Sequence, residues 1–268
     1  MKRIKTSELI PGLVLAEDVY NFNGEKIFSK GLVLNDKQIT RLEFYSILSV
    51  RIEDDVDVTS LADNSNSEPN PDTTSLSTII TQSQDYIEFK NSFDDTLDDF
   101  KSQINNVIES NADIDVDSLM GNTKDLISKA KNSSYSTMDM LCNMRQYDDL
   151  TFAHSLNVSL LCNVFAGWLK LSEEDTDTLT LCGLLHDLGK LKIPDSIIKK
   201  PAKLTSDEYQ IVKTHTVEGY NLLKNHNISP HVVNSALMHH EKCDGSGYPL
   251  GLPGSRIDWA AQIITIAD

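Results

Sequence analysis

No histidine occurs in the first 153 positions of this 268-residue chain. All seven lie from His154 onward, so chemistry that depends on imidazole is confined to the C-terminal half. Cysteine is scarce as well, with four residues and no C-x-x-C pair. A disulfide framework is therefore not expected, and Cys142, Cys162 and Cys182 fall in apolar helical stretches where a thiol serves as a small hydrophobe. There is no uninterrupted apolar run of about 18 residues, the length that a membrane-spanning helix needs. The basic residues of the opening MKRIKTSELIPG have no apolar core behind them, so this segment does not read as a secretory signal. A cytoplasmic protein with no membrane contact is the expectation. Positive charge is also in deficit: 24 Lys+Arg face 40 Asp+Glu, for a net charge of −16. That leaves no basic stripe for polymeric nucleic acid or an anionic lipid surface. A phosphate ester bound by such a chain needs metal ions or a few local cations to offset the charge.

What is present divides into segments of different character. Residues 1–54 balance eight acids with eight bases. Their short apolar runs (Gly12-Leu-Val-Leu, Lys26-Ile-Phe, Gly31-Leu-Val-Leu, Ile47-Leu-Ser-Val-Arg-Ile) are separated by turn chemistry, which predicts a small β-rich domain. Asp36 to Tyr45 is its one helix-like stretch. Residues 55–78 are rich in Asp, Ser, Asn, Thr and Pro without periodicity, and read as a disordered linker. Over 79–124 the positions Tyr86, Phe89, Phe93, Leu97, Phe100, Ile104 and Val107 recur at three- and four-residue steps, the stripe of an acidic amphipathic helix. Core packing is the ordinary use of such a stripe, and a helix pairing or homodimer contact the other. Gly121 and Asn122 are expected to break it. Residues 125–268 are nearly all helical, with box-like starts at Ser172-Glu-Glu-Asp and Thr205-Ser-Asp-Glu. Without β-α-β alternation, a doubly wound nucleotide fold is disfavoured and a mainly α bundle favoured.

The histidines of that bundle carry the chemistry. His186-Asp187 sits in GLLHDLGKLKIP, at the end of an apolar helix that Gly189 can terminate. Neighbouring side chains on a regular helix point about 100° apart, so the pair serves one centre only by bridging two ions or from a distorted helix end. A carboxylate in apolar surroundings also calls for a compensating cation. His215 reads as mid-helical in EYQIVKTHTVEGY, with Gly219 one turn later allowing close approach. His239-His240-Glu241 precedes Asp244-Gly-Ser-Gly-Tyr-Pro. Any one of these histidines alone reads as a hydrogen-bonded core or surface residue. Five together with a carboxylate on an apolar bundle suit first-row transition metals. His226 and His231, in NHNISPH, read as ordinary surface residues.

HDLGK at 186–190 and HHEKCDGSGYPLGLPG at 239–254 resemble the two signatures of the HD-GYP family, and the similarity runs from about residue 125 to the last residue. The small β unit before it loosely resembles a domain that often precedes HD-GYP domains. The resemblance implies an HD-type all-helical bundle that hydrolyses cyclic di-GMP to linear pGpG and onward to GMP. Carried over by position, it makes His154, His186, His215, His239, His240 and Asp268 metal ligands, with Asp187 bridging two ions and Lys190 near the scissile phosphate. Leu150 stands where some members have a glutamate tied to a third ion. Two divalent transition-metal ions, iron or manganese, are therefore expected, activating water as the nucleophile near neutral pH. Asp244, Gly245, Gly247, Tyr248 and Pro249 form a loop that shapes the substrate mouth or serves only as a structural turn. The family pattern continues beyond its closing aspartate through a helix with further substrate contacts, so a C-terminally truncated domain is expected. The expected partners are a cyclic dinucleotide and a second copy or a signalling protein. The competing expectation is a degenerate domain that binds the dinucleotide or a partner without turnover.

Overall fold

Turn chemistry near the N-terminus translates into two short antiparallel ladders. The structure, a computed structural model, describes residues 2–6, 9–20, 26–45, 47, 49–53, 76–110, 112–144, 150–200 and 204–268. The linker expected at 55–78 lies outside the described residues up to position 75. Strand β1 (Lys2–Lys5) pairs with β4 (Ser49–Ile52), and β2 (Val19–Tyr20) with β3 (Lys26–Phe28). Strand β1 carries a single apolar residue, which is why periodicity missed it. Its register sets Ile4 opposite Val50, and both point inward. The runs at 12–15 and 31–34 contribute isolated bridges, Val14 to Val33 and Leu15 to Ile52, rather than full strands. Helix α1 (Asp36–Phe44) opens on Asn35, whose side chain accepts from the Gln38 amide while the Gln38 side chain accepts from the Asn35 amide. It lays Ile39 and Leu42 on a core of Leu13, Leu15, Leu34, Val50 and Ile52.

The chain divides into two compact units, Met1–Ile87 with Asp139–Asp148, and Glu88–Met138 with Asp149–Asp268. Helices α2 (Leu76–Gln82) and α3 (Gln84–Ser110) follow the β-rich part. The aromatic stripe is buried from Tyr86 to Ile104, and Phe100 meets Phe152 edge-on at 5.1 Å. Core packing is therefore a use the structure shows for it. Helix α4 (Val116–Lys131) runs straight through Gly121 and Asn122, contrary to the expected break. A mid-helix glycine costs only about 1 kcal/mol relative to alanine. Here the Asp115 cap and the buried face of Leu119, Met120, Leu126 and Ile127 outweigh it. The actual interruption falls between Ser110 and Val116.

Helix α5 is Thr137–Asn143, and Cys142 is exposed on it because Met140 and Asn143 take the inward face. Cys162 and Cys182 are buried as expected. Helices α6 (Leu150–Leu169) and α7 (Glu173–Leu185) form the main packed pair, joined by a turn that Ser172 caps through the Asp175 amide. Residues Thr151–Leu169 have the length and composition of a membrane span, but just over half of that stretch is buried inside the protein, as in a core helix. After α7 the chain tightens into a 3-10 turn (Leu188–Lys192), then α8 (Asp195–Ile198) and α9 (Ser206–Lys213), which opens on a complete Thr205/Glu208 capping box. Helices α10 (His215–Leu223), α11 (Pro230–Met238) and α12 (Trp259–Ala267) close the bundle.

Gly189 does not terminate α7, which already ends at Leu185, and its φ is not positive. Its role is proximity. A Cβ there would sit 1.8 Å from the His215 carbonyl oxygen and 2.5 Å from the Gly219 nitrogen, so the 3-10 turn presses backbone to backbone on α10. A Cβ at Gly121 meets nothing within 4 Å. Gly189→Ala should thus destabilise the protein by about 3 kcal/mol or more. Gly121→Ala should stabilise it by about 0.5–1 kcal/mol. Denaturant melts of the two variants check both signs, and a tolerated Gly189→Ala would remove the close-approach argument.

Candidate metal centre

Two groups of ligand atoms form inside the helical unit. His154, His186, Asp187 and Asp268 make one, and His215, His239 and His240 the other, with the donor atoms in each group within 4.8 Å of one another. Helix α6 supplies His154; the ends of α7, α11 and α12 supply the HD pair, the paired histidines and Asp268. His215 is not mid-helical, as the sequence suggested, but opens α10 where α9 stops at Lys213. The break at Thr214 turns its ring inward. Adjacent His186 and Asp187 can share one group because the helix has ended: Asp187 has φ −103° and ψ 7° and starts the 3-10 turn.

Asp187 lies between the groups. Its Oδ2 is 3.6 Å from His154 Nε2 and 3.5 Å from His186 Nε2. Its Oδ1 is 3.5 Å from His215 Nε2 and 3.7 Å from His239 Nε2. Asp268 spans them too, with Oδ1 at 2.7 Å from His154 Nε2 and Oδ2 at 4.0 Å from His240 Nδ1. The Lys190 ammonium donates to Asp187 Oδ2.

Three imidazoles are oriented the same way. The Nδ1 atoms of His186, His215 and His239 lie 2.7, 2.6 and 3.0 Å from the carbonyls of Gly183, Val212 and Ser235. A carbonyl can only accept, so each Nδ1 carries the proton and each Nε2 offers a lone pair to the centre. His215 Nε2 and His239 Nε2 then stand 3.2 Å apart, lone pair to lone pair. His186 Nε2 and Asp187 Oδ1 are buried without a hydrogen-bond partner. Facing lone pairs and orphaned buried acceptors are what a cation satisfies, and the imidazole–carboxylate donor set suits a first-row divalent ion. The residues fit the metal that the sequence led us to expect.

The charge states of Asp187, His215, His239 and His240 agree, and that of His186 departs. Burial, then the charges of His240, His186 and His215, holds the His239 pKa well below its ordinary value. Burial lowers that of His215 and brings His240 down to about 3. For Asp187, burial works against ionisation, but Lys190, His186 and His215 outweigh it and hold the pKa well below the carboxylate range. Burial also opposes protonation of His186, and there Asp187 and Asp268 prevail and raise the pKa.

Of the loop residues, Tyr248 alone reaches the ligand groups. Its ring stacks on His240 at 4.8 Å and 26°. Asp244 is exposed and accepts from the Ser246 amide and hydroxyl. Gly245 needs its positive φ of 78°, and a Cβ on Gly247 would lie 2.4 Å from the Lys242 nitrogen. Pro249 follows a cis bond. Sequence reasoning passed over Glu241, whose buried carboxylate accepts from the Leu250, Gly251 and Leu252 amides at 2.6, 3.1 and 2.9 Å and holds the loop in place. Thr265, also unforeseen, donates to the His239 carbonyl. His231 is half-exposed and pairs with Asp258, which also caps α12; His226 lies 3.4 Å from Asp113.

A family model described as HD domain matches residues 123–268, more than half of the chain. The chain belongs to the HD domain family. It is 41% identical over 135 residues to the cyclic di-GMP phosphodiesterase response regulator RpfG of Xanthomonas campestris, covering 49% of this chain and 36% of that protein. It is 43% identical over 118 residues to the 3′3′-cGAMP-specific phosphodiesterase 1 of Vibrio cholerae, covering 44% of this chain and 27% of that one. To the cyclic di-GMP phosphodiesterase of Thermotoga maritima it is 36% identical over 138 residues, covering 50% and 37%. The chain thus spans about a third of the length of these relatives. Bd1817, an HDG"Y"P protein from Bdellovibrio bacteriovorus, shares the fold: TM-score 0.59 at 18% identity over 99% of this chain and 85% of that one.

Acid should therefore destabilise the chelator-treated protein early. His215, His239 and His240 have folded pKa values below the unfolded value of 6.5. Below about pH 6.5 the unfolded chain takes up protons that these folded sites refuse, so stability falls with pH, by up to about 1.4 kcal/mol per pH unit for each histidine. His186, with its raised value, adds stability that is fully present below about pH 6.5 and lost only as the pH rises above it, so it leaves this slope unchanged. Below about pH 3.8 the depressed Asp187 and Asp268 add to the loss. Thermal melts in EDTA should show a falling midpoint from pH 6.5 to 4, and added manganese should raise it most at neutral pH, where the ligands are deprotonated. A midpoint flat across that range would contradict the buried neutral imidazoles.

Proposed function

We propose that this chain is a metal-dependent phosphodiesterase that opens cyclic dinucleotides, cyclic di-GMP first, to the linear dinucleotide and onward to the mononucleotide. The observation that carries the reading is Asp187: one buried carboxylate presents each oxygen to a different group of imidazoles. That arrangement suits two divalent ions, iron or manganese, one served by His154, His186 and Asp268 and the other by His215, His239 and His240. Bound there, such ions supply Lewis acidity to a phosphoryl oxygen and lower the pKa of water. The family relatives named for cyclic di-GMP and 3′3′-cGAMP hydrolysis support the substrate class.

The side chains do the rest. The backbone carbonyls fix the three Nε2 lone pairs before anything binds, which spares reorganisation at the moment of reaction. Asp187 and Asp268 stay ionised across the neutral range because the surrounding cation and imidazoles hold their pKa values down. Lys190, beside both carboxylates, offsets charge that builds on the phosphoryl group. Tyr248, stacked on His240, adds an aromatic ring beside the imidazole donors. Four free cysteines fit the cytoplasm, the compartment we assign to this reading.

Manganese- or iron-loaded protein incubated with cyclic di-GMP under reducing conditions should yield linear dinucleotide and GMP. His186→Ala and Asp187→Ala should each lower the rate by about 10²–10³-fold or more. Metal analysis should return two ions per chain, and fewer in both variants. Turnover of 3′3′-cGAMP in preference to cyclic di-GMP would move the substrate within the class. Two bound ions without turnover of either would exclude the enzyme and leave a binding domain.

A further inference from the structure

Lys213 ends α9, two positions before His215. Its ammonium lies over two aromatic rings, 5.3 Å from the Tyr209 centroid and 5.5 Å from that of Tyr248. Tyr248 in turn stacks on His240 and meets His215 edge-on at 6.5 Å. One wall of the site therefore runs from the imidazole donors, across the Tyr248 ring, to a cation. Tyr209 and Lys213 share a helix at i, i+4 spacing, which sets the first ring under the ammonium, while the Glu241-anchored loop brings the second.

The electrostatic position of Lys213 differs from that of Lys190. Lys190 is committed to Asp187. The glutamate nearest on its own helix, Glu208, is taken by Lys200. No carboxylate pairs with Lys213 among the described residues, and its two ring contacts are the interactions the structure gives it. A cation–π contact at an exposed site is weak, and it takes up no carboxylate or carbonyl acceptor. The ammonium is thus aimed while donors remain available to an anion. A carboxylate partner would have used those donors and cancelled the charge. In a chain of net charge −16, an aimed and unneutralised cation beside the metal ligands is a feature with anion chemistry.

We infer that Lys213, oriented by Tyr209 and Tyr248, grips the phosphate of a cyclic dinucleotide that is not being cleaved, and so favours substrates with two phosphodiesters over those with one. The inference rests on the phosphodiesterase reading above. Lys190 serves the atoms around Asp187; Lys213 stands one aromatic ring further out, and the inference assigns it the second phosphate of the macrocycle. It is a positioning and specificity residue rather than a member of the reacting centre.

The test compares the manganese-loaded full chain with Lys213→Met and Lys213→Arg on two substrates, cyclic di-GMP and bis(p-nitrophenyl) phosphate, which has one phosphodiester. Polarisation of fluorescein-labelled cyclic di-GMP gives Kd separately from turnover. Losing one charged hydrogen bond, Lys213→Met should raise both KM and Kd for the dinucleotide about tenfold, with kcat changed less than about threefold. The ratio of kcat/KM for the dinucleotide to that for the small ester should fall about tenfold, and Lys213→Arg should recover most of it. An unchanged ratio would overturn the inference, as would an equal loss of kcat on both substrates with loss of metal, which marks a structural role through His215. Wild-type protein that neither binds nor cleaves cyclic di-GMP would overturn the phosphodiesterase reading itself and this inference with it. An active wild type with an unaltered Lys213→Met ratio removes only the role of Lys213.

Discussion

A carboxylate with no solvent exposure has to be compensated from every side, and the helical unit is arranged around that requirement at Asp187. An isolated buried charge costs several kcal/mol, more than most single contacts return. Here Lys190 approaches one oxygen while four imidazole nitrogens surround the two, at 3.5–3.7 Å. The packing is subordinate to this. Helix α7 has to stop at Leu185 for His186 and Asp187 to face one centre, and the 3-10 turn that follows has to lie against α10, where only a glycine at 189 fits. A larger residue there would separate His215 from the carboxylate it faces.

Helix ends do the orienting. The last turn of a helix leaves carbonyls without backbone donors. Gly183 near the end of α7, Val212 near the end of α9 and Ser235 near the end of α11 give theirs to the Nδ1–H of His186, His215 and His239. One feature therefore settles ring rotation and tautomer together. It also sets the sign of the local field, because helix C-termini carry partial negative charge that favours a cation. Three of them converge on the ligand groups, and α12 delivers Asp268 as its C-terminal cap. A site that combined these ends with buried, neutral imidazoles and two ionised carboxylates would be poorly balanced without positive charge at its middle.

Much of this was legible from residue identity. The HD pair, the paired histidines, His154 and His215 are unusual residues in an apolar helical context, Asp268 came from the family resemblance alone, and the structure brings all of them together. Coarse architecture was legible for the same reason: hydrophobic period marks α3, and capping chemistry marks the starts of α7 and α9. What escaped depends on tertiary direction. Strand β1 has one inward residue and owes its existence to β4. Helix α4 keeps going through Gly121 because its buried face outweighs a local preference. Cys142 sits in an apolar stretch but on its outer side. Glu241 looks like a surface acid beside two histidines, and only the return of the chain at Leu250 to Leu252 makes it the anchor of the loop.

The acidity of the chain does not by itself argue against the proposed anionic substrate, because the acids are unevenly spread. Residues 55–149 hold nineteen acids against six bases, while 150–268 hold thirteen against ten. Charges that act through water and salt are screened over about 8–10 Å at physiological ionic strength. Charges at the site act through a buried, low-dielectric medium and are screened far less. At the ligand groups, Asp187 and Asp268 are partly offset by Lys190, so divalent cations held there reverse the local sign outright. On the proposed reading the site would repel phosphate until it is loaded. Substrate affinity would then follow metal supply through electrostatics.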